Sequence, residues 1–277
     1  MVDLSAGLSP AALDAIEDLE RRVVAADGGR LKLEWNTLRH RSGHDVEDIL
    51  WWDGERLLGF LGIYTHSAPT IELAGMVDPD ARRRGIGTAL LDAALRVCRE
   101  REHSSILLVV PRPSVAGRSL AQRRGGTLDH SEHALQLPGA PTEVPADPGV
   151  TIRAATAADQ SAVRELMRSG FGWEPPLDAA HDPDTLVVER DGRPIGTLRL
   201  SHDGDRVGVY GFAIHPDHQG RGIGRDVLHR VCREALAGGA TAVHLEVATD
   251  NDRALNLYTS LGFRPVMTED YYELSDR

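Results

Sequence analysis

Two glycine-bearing segments hold the residue types best suited to chemistry in this chain. Arg82-Arg83-Arg84-Gly85-Ile86-Gly87 and Gln219-Gly220-Arg221-Gly222-Ile223-Gly224 share the pattern Gln/Arg-x-x-Gly-x-Gly. Each follows a short apolar run ending in Asp-Pro or His-Pro, and each opens a helical pattern that continues through Thr88 or Arg225. The first amides of a helix have no internal partners and carry the positive end of its dipole, so such a turn binds phosphate oxygens. Gly85, Gly87, Gly222 and Gly224 remove side chains where a pyrophosphate must approach the backbone, and Arg82 or Gln219 adds a side-chain donor. A glycine turn that merely starts a helix is the plainer reading of either segment alone. The two segments lie 137 residues apart, however, and the same spacing separates Gly59 from Gly196 and Gly125 from Gly262. A constant offset on both sides of the loop identifies a duplicated domain of a kind that binds a phosphate-bearing ligand.

The elements that must position these loops are legible around them. In the second half Val150-Thr151-Ile152-Arg153 reads as a strand, and Asp159 is placed to cap a helix carrying Val163, Leu166 and Met167. Leu186-Val187-Val188 and Ile195 to Leu200 flank Asp191-Gly192, a hairpin signal, and Val207 to Ile214 is a further strand. From about Gly222 the residues Val227, Leu228, Val231, Cys232, Ala235 and Leu236 form one apolar stripe that Gly238-Gly239 ends. Val243 to Val247 alternates as a half-buried strand, and Ala254 to Leu261 reads as a short helix. The first half repeats the order: the turn at Trp51-Asp53-Gly54, strands from Leu57 to Tyr64 and Ile71 to Val77, the helix from Gly85, and a strand from Ile106 to Val110. Each half is therefore expected to be an α/β domain on a mixed sheet, with a strand–loop–helix ligand site. A stretch with four prolines, Pro138 to Gly149, separates them. The expected division is residues 1–137, an extended linker at 138–149, and residues 150–277.

Size and charge bound the rest. A chain of 277 residues suits two domains, each able to bury its own core. The net charge of −11 argues against nucleic acid or an anionic membrane as the main partner. Two cysteines, Cys98 and Cys232, are too few for a disulfide framework and sit on apolar helix faces, which suits buried, inert thiols. No apolar run approaches the roughly 18 residues of a membrane span, and no charged-then-apolar leader opens the chain, so it reads as cytoplasmic. Lys32 is the only lysine, a skew that reads as genome composition and not as chemistry.

On these loops both halves resemble the GCN5-related N-acetyltransferase superfamily, in which the Gln/Arg-x-x-Gly-x-Gly/Ala turn holds the pyrophosphate of acetyl-CoA. The second half is similar over a longer stretch. Leu245-Glu246-Val247, then Asn251, then Ala254 to Phe263 resembles the corresponding segment of RimI-type acetyltransferases, and Tyr271-Tyr272 adds to the likeness. The tandem layout also resembles that of the mycothiol synthases. The resemblance covers most of residues 150–277, and residues 50–130 more loosely.

What the resemblance implies is direct transfer of acetyl from a thioester to an amine. An amine attacks only when neutral, so a base must take its proton. A backbone amide on the strand before the loop stabilises the oxyanion that forms. Phe212, Ala213 and Ile214 occupy that strand in the second half, and Met76 and Val77 in the first, and their free edges are expected to hold the pantetheine arm. Asn251 joins the cofactor residues. Tyr258 takes the place of the donor to the departing thiolate, and Glu246 that of the catalytic carboxylate. The bland alternatives are a packed aromatic and an exposed strand residue. The resemblance to mycothiol synthases has one departure, since Gly208 stands where their carboxylate base is expected; Glu246 would then substitute.

In the first half the offset brings Ala121 to the place of Tyr258, Val109 to that of Glu246, Ser114 to that of Asn251 and Gly126 to that of Phe263. The loop survives and the catalytic end does not, so the first domain is expected to keep an acetyl-CoA cleft, or only its shape. Glu72 is its one candidate base. His215 and His218 have no third ligand in evidence, so no metal is expected. Trp173, Glu174 and Asp178 lie where an acceptor amine would be received, or in a covering loop. The acceptor is left open among a protein N-terminus, a small thiol-precursor amine, and an antibiotic or polyamine amine. A non-enzymatic acetyl-CoA-binding protein is the alternative of a different class.

Overall fold

Alternating apolar patterns on both sides of each helix build two mixed α/β units. The structure, a computed structural model, describes residues 1–67, 70–101, 103–172 and 184–275. One unit comprises Met1–His133 with Val266–Arg277, and the other Ala134–Pro265.

The first unit runs β1 (Val2–Ser5), α1 (Pro10–Asp27), α2 (Trp35–Arg39), β2 (Asp48–Asp53), β3 (Arg56–Ser67), β4 (Thr70–Val77), α3 (Ile86–Cys98), β5 (Ser105–Pro111) and α4 (Val115–Arg123), and enters β6 (Thr127–Leu137). The Ser9 hydroxyl caps α1 by accepting the Ala12 amide at 3.2 Å, Pro10 opens its first turn, and Gly28 at φ 74° ends it. β5 is apolar on both sides because both are covered. Ile106, Leu108 and Val110 join the core under α3, whereas Leu107 and Val109 join the core under α1 with Ile16, Leu19, Phe60 and Met76.

The second unit takes the end of β6 and continues with β7 (Val150–Ala154), α5 (Gln160–Phe171), β8 (Thr185–Arg190), β9 (Arg193–Asp203), β10 (Arg206–Ile214), α6 (Ile223–Ala237), β11 (Ala242–Ala248), α7 (Asp252–Ser260) and the first residues of β12 (Arg264–Leu274). Asp191 and Gly192, at φ 53° and 71°, form the two-residue turn between β8 and β9 that the sequence signals. The stripe on α6 is buried as its spacing requires, at Val227, Leu228, Val231 and Cys232. Burial pushes the Cys232 thiol up to about 12, which leaves it unreactive.

Two boundaries differ from the sequence reading. The chain's last strand belongs to the first unit: β12 pairs antiparallel with β5 from Glu269↔Pro111 to Leu274↔Ile106. Tyr271 and Tyr272, read as part of the second half, therefore pack in the two cores of the first. The proline-rich segment has no helix or strand, but it is fastened to the second unit and is no free spacer. Thr142 donates its amide to the Leu261 carbonyl at 2.9 Å, and Asp147 donates its own to the Asp226 carboxylate at 3.2 Å. Among the described residues no helix is long and apolar enough to cross a membrane.

In each unit the central parallel pair comes apart. β4 and β5 are in register from Thr70↔Ser105 to Leu73↔Leu108, and β10 and β11 from Arg206↔Ala242 to Gly208↔His244. Beyond these pairs the strands run on, to Val77 and Pro111 in one unit and to Ile214 and Ala248 in the other. That split is what opens a site in the sheet.

Candidate acyl-transfer site

The glycine loops sit at the mouths of these splits, between strand and helix. Gly85 and Gly222 are the residues before α3 and α6, with left-handed φ of 84° and 83°. A side chain at either would meet nothing within 4 Å, so the space ahead of each helix N-terminus is open. The amides of Ile86 and Gly87, and of Ile223, Gly224 and Arg225, precede the first helical hydrogen bonds, which run to the carbonyls of Gly85 and Gly222. Amides in such a setting are the groups that meet an anion at a helix N-terminus. Arg83, at φ 64°, takes the left-handed conformation that Gly220 takes at 75°, so the two turns share a backbone path despite the bulkier residue.

The leading side chains of the loops are used within the protein. Gln219 donates to the Ile214 carbonyl at 2.6 Å and accepts from Arg253 at 2.6 Å. Arg82 donates to the Val77 carbonyl at 3.3 Å and forks onto both oxygens of Asp27 at 2.8 and 2.6 Å. Each ties its loop to the end of the preceding strand. Arg84 donates to the Asp80 carbonyl, again fixing the loop. Asn251 caps α7 by accepting the Ala254 amide at 3.1 Å, as Ser114 caps α4 by accepting the Gly117 amide at 3.1 Å.

In the first unit the split encloses a cavity of about 720 Å³. Its wall draws on both faces of the sheet: Ile86, Leu108 and Leu120 from the α3 side, and Val23, Phe60 and Val109 from the α1 side. Met76, Val77, Arg82, Arg83, Gly85, Gly87 and Thr88 border it, whereas Arg84 does not. On the α1 face, Lys32 is ion-paired to Glu72 at 3.3 Å and donates to the Tyr271 hydroxyl at 2.6 Å. Tyr271 in turn donates to Glu132 at 2.6 Å. The one candidate base of this unit is thus neutralised by the chain's single lysine.

In the second unit the chemistry-bearing residues divide between the faces of β11. Val243, Leu245 and Val247 join the core beneath α6 together with Tyr258, Phe263 and Leu261. His244 and Glu246 alternate with them and are half-buried on the other side. Tyr258 is 9% exposed, its ring 6.1 Å from that of Phe263. Burial pushes its hydroxyl up to about 12, so it holds its proton at neutral pH. Phe212, Ala213 and Ile214 end β10 at the split, and the register of β10 with β9 jumps from Tyr210↔Arg199 to Ala213↔Thr197. Gly211, at φ 56°, sits in this bulge, which takes Gly211 and Phe212 out of the ladder.

Two residues near the split went unnoticed in the sequence. Tyr210 and His244 meet at 3.4 Å between hydroxyl and Nε2, with their rings edge to face. The signal was present, since His244 interrupts an apolar strand two residues before Glu246, but only the pairing to Gly208 shows that it lies where the strands part. Trp173, Glu174 and Asp178 lie outside the described residues. His215 accepts the Asp217 amide and its ring is 6.2 Å from that of His218; among the described residues no group of three or more metal-binding side chains is assembled.

Comparisons with known proteins bear on the family and the fold. The model of the Acetyltransferase (GNAT) family matches residues 12–125 and 153–263, once in each half. A mycothiol acetyltransferase of Kytococcus sedentarius is 31% identical over 294 residues, covering 96% of this chain and 95% of the relative. A second, from Clavibacter sepedonicus, is 31% identical over 76% of this chain and 75% of its own length. Among solved structures, a GCN5-related N-acetyltransferase from Sphaerobacter thermophilus superposes with a TM-score of 0.82 at 19% identity, covering 100% of this chain and 96% of the other. A tandem GNAT protein from the clavulanic acid biosynthesis pathway gives 0.70 at 17% identity, covering 100% and 99%.

Proposed function

Since the chain belongs to the GNAT acetyltransferase family, whose co-substrate is acetyl-CoA, and is an acyltransferase, we propose that its second unit moves acetyl from acetyl-CoA to the amine of a small acceptor. The observation that carries this reading is the division of Tyr258 and Glu246 between the two faces of β11, beside the split from β10. The first unit has Ala121 and Val109 at the corresponding offset and lacks the pair.

In this reading the amides of Ile223, Gly224 and Arg225 hold the pyrophosphate, and Phe212 to Ile214 hold the pantetheine arm along the strand edge. The bulge at Gly211 offers a backbone amide to the thioester oxygen, where developing negative charge gains most from a fixed dipole. Glu246 lies on the proton-accepting side and draws the acceptor's ammonium toward the split. Tyr258, which keeps its proton at neutral pH, gives it to the departing sulfur. In this reading the protein works in the cytoplasm, where acetyl-CoA is available.

The names of the two relatives favour one acceptor class, a small thiol-precursor amine of the mycothiol type. The test is a screen with acetyl-CoA and three amines: an amino sugar, an S-methylated cysteine ester and a dipeptide N-terminus. Product is read by mass spectrometry and CoA release together. Transfer to the first two and not the third supports the small-amine reading; transfer to the dipeptide alone would replace it with N-terminal acetylation, and no transfer at all would favour a binding protein.

A further inference from the structure

We propose that His244 is the proton acceptor of the second unit's site, the residue that takes the proton of the incoming amine. This deepens the acetyltransferase reading and rests on it.

The argument starts from strand register. In the first unit Glu72 pairs with Tyr64 on one side and with Leu107 on the other. In the second unit the residue with the corresponding partners is Gly208, which pairs with Ser201 and with His244. Position 208 therefore stands at the point where β10 and β11 part, and it has no side chain to offer. The space is not empty. A Cβ built on Gly208 would lie 2.5 Å from the Tyr210 ring and 2.8 Å from His244 Nε2. The imidazole occupies the volume that a side chain at position 208 would fill, and it brings a titratable nitrogen to the place that Glu72 holds in the other unit.

Chemistry favours that nitrogen. An imidazole is neutral and basic through the pH range of the cytoplasm, whereas a carboxylate is a weaker base there. The titratable and charged groups on the same face, among the described residues, include the Tyr210 hydroxyl at 3.4 Å, Glu246 two residues along β11, and Arg199, whose guanidinium lies 5.4 Å from the centre of the Tyr210 ring. They also include the register pair Asp203 and Arg206 farther along β9 and β10, and Arg164 on α5, which packs against those strands. Glu246 is negatively charged and close along the strand, so it favours both the arriving ammonium and the imidazolium that forms. The protons balance: the ammonium yields one to His244, which later releases it to water, and a second to water as the C–N bond forms and the C–S bond breaks, so that with the thiolate protonated one proton is released per turnover. Tyr258 protonates the thiolate and is itself replenished from water.

The test uses the full chain with acetyl-CoA and whichever of the three named amines turns over fastest. Wild-type kcat/KM should fall on the acid side as a histidine charges, near pH 6.5. His244→Gln should lower kcat by about 10²–10⁴-fold and remove that limb, with acetyl-CoA affinity unchanged. In His244→Ala, added imidazole should restore turnover in proportion to its neutral fraction, a response no merely structural role produces. Wild-type transfer combined with an unchanged pH profile in His244→Gln, or with no rescue of a folded His244→Ala, overturns the inference alone. Absence of transfer by the wild type overturns the acetyltransferase reading beneath it.

Discussion

Tyr258 and Glu246 lie on opposite sides of the sheet although only a loop and about two helical turns separate them in the chain. Tyr258 packs with Val243, Leu245 and Val247 under α6, and Glu246 occupies the alternate face of the same strand. A group delivered to both must pass between β10 and β11, where their registered pairs end at Gly208↔His244. In the proposed reading the proton donor and the carboxylate that draws the acceptor's ammonium are thereby kept apart until a thioester and an amine approach from the two faces.

Replacing Tyr258 with Phe keeps the ring in the core and deletes only the hydroxyl. Stability and acetyl-CoA affinity should hold while kcat falls by about 10²–10⁴-fold, as for loss of a general acid. Stopped-flow or steady-state CoA release measures it. A kcat within about threefold of wild type would mean that water protonates the thiolate.

The second loop offers a sharper test of cofactor binding. Gly224→Glu forces a charged side chain against Leu257, Ile214 and Phe212 directly behind the loop and should abolish acetyl-CoA binding to the second unit in calorimetry. Gly224→Ala is the control, since its Cβ would lie 3.2 Å from Leu257 Cδ1 and requires only a small shift. Gly222→Ala, by contrast, forces a left-handed conformation on an L-residue and should cost about 1–2 kcal/mol of stability whatever it does to binding. Equal affinity in Gly224→Glu and Gly224→Ala would remove the loop from the cofactor site.

How much of this was legible in residues can be judged at the same loops. The Asp191-Gly192 turn, the α6 stripe and both cradles followed from local rules that the fold obeys. The correspondence of Glu72 with Gly208 did not, because the 137-residue offset pairs Gly208 with Ile71. The bulge at Gly211 moves the register by one, and a bulge leaves no mark in a single sequence beyond a glycine. The placement of β12 was equally hidden. Its apolar residues fit the edge of either half, and only pairing with β5 assigns Tyr271 and Tyr272 to the first unit. Arg82 and Gln219 were read as phosphate donors from their type, whereas competing carbonyls and the Asp27 carboxylate lie within reach in the fold.

Asp48 gives a stability prediction with a definite sign. It is fully buried beside Arg41, at 3.0 and 3.1 Å, and burial outweighs the guanidinium to push its carboxyl up to about 6. A raised carboxyl binds its proton more tightly folded than unfolded, so stability from this group is greatest below the unfolded value near 4. It declines as pH rises toward 6 and stays lower above, by about 3 kcal/mol at most. Asp48→Asn should flatten that part of the stability curve between pH 4 and 7, measured by urea unfolding of the first unit's signal. It should also lower overall stability by leaving Arg41, whose side chain is buried, with Glu47 at 3.3 Å as its remaining carboxylate partner. A wild-type curve as flat as that of the variant would show that Asp48 is already ionised at low pH.

The last prediction separates the two units. The first has an open cradle and a cavity that reaches through the sheet, but Ala121 stands in place of a tyrosine donor and Glu72 is paired with Lys32. Phosphate binding needs only the loop, whereas turnover needs groups to accept and return protons. Gly85→Glu combined with Gly87→Glu should therefore leave acetyl transfer to the best amine within about twofold of wild type, while Tyr258→Phe in the same assay collapses it. Calorimetry on the two variants would count cofactor sites at the same time. Loss of turnover in a folded Gly85→Glu, Gly87→Glu protein would make the first cleft part of the reaction, and Lys32 and Glu72 would then be the residues to examine.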